Sequence, residues 1–156
     1  LKGFDLDPES AFSKTWKAQV YALMGDTAHA LSYCERVIAT EPHAVHGLWA
    51  RALAASLRGD MNEARSVLAE REKIVAVDGE QWYNLAQGEA LVGSTAKCAL
   101  ALRKAIDGGF FCTPLMRRDV YLDPIRNDPV IRDLLAQAAQ KHQEFIRRFN
   151  LSDEAR

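Results

Sequence analysis

Apolar residues recur every three or four positions on both sides of three glycines, Gly25, Gly59 and Gly93, which sit in the stretches "ALMGD", "SLRGD" and "ALVGS". That spacing predicts pairs of amphipathic helices, each pair reversing at its glycine, because a left-handed turn residue ends a helix and lets the chain fold back. The glycines are 34 residues apart, and other columns keep the same register. Ala18, Ala52 and Ala86 stand seven before them, and Leu23, Leu57 and Leu91 two before. Ala30, Ala64 and Cys98 stand five after, and Cys34, Leu68 and Leu102 nine after. A small residue in each helix predicts close approach of the two backbones. Asp26 and Asp60, directly after their glycines, are placed to accept hydrogen bonds from the free amides that open the second helix. Pro42 is placed to stop one second helix and begin the next unit.

A 34-residue helix-turn-helix in this small/large/Gly/small register resembles the tetratricopeptide repeat. The resemblance implies an all-α fold, a right-handed superhelix of tandem helix-turn-helix units. Residues 1–112 form the expected array, with full units at 11–44, 45–78 and 79–112, and 1–10 read as the end of an upstream unit. Two departures stand out. Arg71 occupies a position where a small residue is usual, and no proline closes the second or third unit.

After Gly108 the register stops. Residues 113–156 read as a linker turn and a C-terminal capping helix, needed because a stack of helix pairs leaves an apolar face open at its end. From Val130 to Phe149 the stripe Ile131, Leu134, Leu135, Ala138, His142, Phe145 and Phe149 predicts a one-sided helix. Asp128 is its expected N-cap and Pro129 its first residue, with Asp123-Pro124 a second use of the same device. The segment with "LDPIRNDP" also resembles the tail that closes tetratricopeptide arrays in large bacterial signalling proteins. There a kinase, cyclase or winged-helix DNA-binding domain precedes the array, and the resemblance does not decide whether one of them belongs here.

Charge excludes some partners. With 20 basic and 21 acidic residues the chain has no net field toward nucleic acid or an anionic membrane. No apolar run approaches the roughly 20 residues that cross a bilayer, so the expected location is cytoplasmic. Three widely spaced cysteines suit reduced thiols better than a disulfide framework.

Candidate chemistry is sparse. Asp119, Asp123, Asp128 and Asp133 could be taken for a divalent-cation cluster, but two precede prolines at helix starts and no glycine-hinged calcium loop is present, so capping is the better reading. His43 and His46 lack a third ligand at suitable spacing for zinc. No nucleophile elbow, phosphate loop or Cys-x-x-Cys pair occurs. The expectation is a noncatalytic module without metal or cofactor that binds a protein or peptide.

The resemblance places that binding on the first helix of each unit, which lines the concave groove in this family. The columns thirteen, ten and six before each glycine hold Phe12, Thr15 and Gln19; His46, Trp49 and Leu53; and Glu80, Tyr83 and Gln87. Trp16 borders them and Asn84 sits beside them, whereas Trp82 matches the family's packing tryptophan. This lining suits an apolar or amphipathic peptide. The basic clamp that related modules use for acidic chaperone tails is missing, since its columns hold Thr15, Gln19, Ala50, Glu80 and Asn84. The alternative is an architectural or self-association element whose groove is filled by its own flanking chain, leaving Trp49 and Tyr83 covered.

Overall fold

The computed structural model describes residues 7–150, and the chain divides after Val75 into two units. Among the described residues there is helix and turn but no strand. The first unit holds α1 (Ala11–Leu23), α2 (Thr27–Thr40), α3 (Val45–Leu57) and α4 (Met61–Arg71). The second holds α5 (Gly79–Leu91), α6 (Thr95–Asp107), α7 (Thr113–Arg118), a 3-10 turn (Val120–Leu122) and α8 (Pro129–Arg148).

In the first unit α1 packs on α2 and α3, α2 on α3, and α3 on α4. Gly25 and Gly59 reverse the chain at φ of 76° and 80°, a region that side chains with a Cβ avoid. Asp26 Oδ1 accepts the His29 amide at 3.2 Å and Asp60 Oδ1 the Glu63 amide at 3.0 Å, so both second helices begin as their sequence predicts. The small columns Ala18, Ala30, Ala52 and Ala64 are all buried, as are Cys34 and Leu68.

The α2–α3 connection rests on a feature that periodicity does not contain. Gly47, inside α3, lies so close to the Glu41 carbonyl at the end of α2 that a Cβ would overlap that oxygen. Arg71, at the end of α4, is buried, and its Nη1 donates to the Ile74 carbonyl at 3.1 Å. A guanidinium that ties down the following loop explains how an arginine occupies a small-residue column. Burial lowers its pKa, as expected for a cation short of water.

In the second unit α5 packs on α6 and on the 3-10 turn, while α8 packs on α6 and α7. Asp78 caps α5 by accepting the Gln81 amide at 2.8 Å, a cap that replaces the missing proline. Gly93 turns at φ of 72°. Trp82 is half-buried, with the Lys104 ammonium 4.0 Å from its ring centre. Asp128 Oδ1 accepts the Val130 amide at 2.9 Å and Pro129 opens α8. Asp123 departs from its expected role: Asp119 caps the 3-10 turn through the Tyr121 amide, and Asp123 receives Arg126 Nε at 2.9 Å instead. The Ile125 amide, placed after Asp123 as Val130 is after Asp128, donates to the Leu122 carbonyl at 3.1 Å, so the amide that Asp123 would cap is already taken.

Candidate functional site

In the first unit the expected lining residues divide by exposure. Phe12 is 49% exposed, and Trp16 and His46 are half-buried. The Phe12 ring makes T-shaped contacts with Trp16, ring centres 6.1 Å apart, and with His46, across on α3, ring centres 5.7 Å apart. The three rings form one aromatic edge drawn from two helices. Thr15, Gln19, Trp49 and Leu53 are buried. The Thr15 hydroxyl donates to the Ala11 carbonyl at 2.7 Å, so it is engaged within its own helix.

In the second unit Glu80 is exposed and Asn84 half-buried, whereas Tyr83 and Gln87 are buried. The two buried side chains converge on one acceptor. The Tyr83 hydroxyl donates to Asp119 Oδ2 at 2.6 Å and Gln87 Nε2 donates to the same oxygen at 2.7 Å. The other carboxylate oxygen accepts the Tyr121 amide at 3.0 Å. A buried carboxylate is costly unless donors surround it, and three donors do so here. Phe110 stacks on the Tyr83 ring at 4.8 Å. Burial raises the Tyr83 pKa, and the Asp119 charge and hydrogen bond raise it further.

Arg126 fastens the segment that carries Asp119. Its Nη1 donates to the Met116 carbonyl at 2.9 Å and its Nη2 to the Asp119 carbonyl, while Nε holds Asp123. The tail therefore fills the face of α5 on which Tyr83 and Gln87 stand. The sequence pattern offers Asp119 only as a cap or a cation ligand and does not join it to α5. The signals were the aromatic pair Phe110-Phe111 just past the register and an aspartate two residues ahead of a tyrosine.

Other groups serve packing. Cys34 and Cys98 are buried, and burial pushes both thiols up to about 12; Cys112 is exposed. His43 Nδ1 lies 2.8 Å from Glu70 Oε1 and Arg51 Nη1 donates to Glu70 Oε2 at 3.0 Å, and these partners hold the Glu70 carboxyl below its usual range. His46 turns instead to Phe12, so the two histidines do not share a site. Among the described residues no three His, Cys, Asp or Glu side chains converge as a metal site requires. A surface cavity of about 170 Å³ in the first unit is lined by Ile38, Ala54 and Ala55 and by Arg51 and Arg58, which are paired with Glu63 and Glu35. Among the described residues no helix is long and apolar enough to cross a membrane.

Compared with models of known protein families, the chain matches none. No curated protein matches it either.

Proposed function

We propose that this chain is a noncatalytic protein-interaction module of tetratricopeptide type, a right-handed superhelical segment of a larger bacterial regulatory protein in the cytoplasm. Its ligand is an extended peptide or a partner helix of apolar or amphipathic character. The observation that carries the reading is the aromatic edge of the first unit, where Phe12 is half exposed and touches His46 across two helices. Aromatic side chains held by one another lose little freedom on binding and offer both stacking and apolar area. The 34-residue register supports the family assignment, since first helices of successive units supply the lining in such repeats. Titration of the chain with a neutral, aromatic-rich peptide tests it. Phe12→Ala should weaken binding by about tenfold, the weight of a central aromatic anchor. Unchanged affinity in that variant would reject the aromatic edge as the contact.

A second reading has its own support in the second unit. Asp119 engages Tyr83 and Gln87 as a ligand carboxylate would, so this part of the lining serves as an internal, self-filled contact. On that reading Asp119→Ala frees Tyr83 and Gln87 and raises affinity for an added peptide. On the first it leaves peptide affinity where Phe12 and His46 set it.

A further inference from the structure

The cavity of about 170 Å³ in the first unit opens over two buried alanines of α3, Ala54 and Ala55, with Ile38 of α2 beside them. Arg51 and Arg58 stand one turn to either side of the alanines on the same face of the helix. At 3.6 residues per turn this face is turned well away from His46, which meets Phe12. The repeat itself supplies the shape of an occupant. Four residues before each turn glycine stand Tyr21, Ala55 and Glu89, and four after stand His29, Glu63 and Lys97. In the first repeat the Tyr21 ring is half-buried and stacks on His29, ring centres 5.0 Å apart. The second repeat keeps charged side chains around the same place, with Arg51 for Lys17 and Asp60 for Asp26, but has only a methyl where the tyrosine stands. A void of about 150 Å³ is enough for a benzene ring. The cavity therefore matches the side chain that its column lacks.

The charges around the cavity favour an uncharged ring. Arg51 is paired with Glu63 at 3.4 Å and with Glu70 at 3.0 Å, and Arg58 with Glu35 at 2.7 Å. An anion would have to displace these carboxylates, and a cation would meet both guanidiniums. A guanidinium held by a carboxylate still stacks on an aromatic face, so Arg51 and Arg58 can flank a ring without giving up their partners. The Arg58–Glu35 pair is exposed, with 50% and 63% of the two side chains open to solvent, and a pair of this kind is weak. Arg58 can thus move aside to admit a ring. The carboxylates of Asp60 and Glu63 also line the cavity and can accept the hydrogen bond of a phenol, which favours tyrosine over phenylalanine.

We propose that this cavity is a socket for one tyrosine side chain of a partner protein, seated on Ala54 and Ala55 between the guanidiniums of Arg51 and Arg58. A lone ring offers few atoms to bind with, so useful affinity needs a ring carried by a larger partner, as a single aromatic anchor in a pocket is. The socket shares no residue with the aromatic edge of Phe12, Trp16 and His46, so it stands independently of the peptide-binding reading.

The test titrates the full chain, followed by NMR, with p-cresol, the isolated tyrosine side chain, and with its saturated counterpart 4-methylcyclohexanol. p-Cresol should bind the more tightly and should shift the methyl signals of Ala54 and Ala55. Arg58→Ala should weaken p-cresol by about threefold, the weight of one exposed cation–π contact, and leave 4-methylcyclohexanol unchanged. Ala55→Tyr should abolish binding with a melting temperature at or above the parent's, because the void is filled. Should that variant fail to fold, Ala55→Val should weaken binding in the same direction. The capped peptide Gly-Tyr-Gly should compete with p-cresol, and Gly-Ala-Gly should not. Phe12→Ala should bind p-cresol as the parent does. Equal binding of the two rings, tighter binding of benzoate than of p-cresol, or parent-like affinity in the Ala55 and Arg58 variants would overturn the proposal. So would p-cresol binding that the tyrosine peptide does not compete with, which would assign the cavity to free small molecules, or loss of binding in Phe12→Ala, which would move the contact to the aromatic edge.

Discussion

The Tyr83 hydroxyl and the Asp119 carboxylate meet at 2.6 Å inside the second unit, 36 positions apart in the chain. This bond ties the tail to α5, and its removal is measurable in two ways. Asp119→Ala leaves the Tyr83 hydroxyl and the Gln87 amide buried without their acceptor and should cost about 2–4 kcal/mol in denaturant unfolding. Asp119→Asn keeps an acceptor and should cost less. Equal losses in the two variants would mean that the interaction is steric rather than polar.

The same pair sets a pH dependence. Tyr83's pKa is raised in the folded state, first by burial and then by the Asp119 charge, whereas an unfolded tyrosine ionises near pH 10. The stability it contributes is whole below about pH 10 and is lost as pH rises beyond that, because only the unfolded chain then releases the proton. Unfolding free energy should therefore fall more steeply above about pH 10 in the parent than in Tyr83→Phe. Parallel curves would show that the phenol is not held protonated.

Two glycines that look alike in composition should respond in opposite order to expectation from helix propensity. Gly47 lies inside α3, where alanine ordinarily stabilises by about 1 kcal/mol. Here an added methyl would strike the Glu41 carbonyl, so Gly47→Ala should lower the melting temperature sharply. Gly59→Ala meets open space but keeps a left-handed backbone, at a cost of about 1–2 kcal/mol. Thermal melts that rank Gly47→Ala as the milder change would contradict the close α2–α3 approach.

Removing the chain after Arg126 deletes α8 and uncovers the side chains of α6 and α7 that it packs on. The truncated protein should aggregate or lose much of its thermal stability, as a repeat stack does without its end cap. A monomeric fragment with unchanged melting would show that α8 is dispensable. Asp128→Ala should produce a milder loss of about 1 kcal/mol, the weight of one N-cap.

Thiol chemistry gives an independent check on the core. Cys34 and Cys98 are buried with pKa pushed up to about 12, so neither offers a thiolate at neutral pH. An alkylating reagent should modify Cys112 alone in the native protein and all three cysteines once urea is added. Native labelling of Cys34 would place it outside the interior.

The sequence by itself determined the helices and their turns. Apolar periodicity, left-handed glycines and side-chain caps are local properties, so Gly25, Gly59, Gly93, Asp26, Asp60 and Asp128 act where their neighbours say they must. The stripe on α8 was legible for the same reason. Only the tertiary structure decided which faces are available. Tyr83 and Gln87 share a repeat column with residues of the first unit, but the tail returns over α5 and Asp119 takes their hydrogen bonds. Phe12 and His46 stand in another such column and stay at the surface in contact with each other. The close seat of Gly47 on Glu41 is likewise invisible in the pattern. A periodicity records which side of a helix is apolar; what lies against that side depends on where distant chain returns, and no local spacing encodes that.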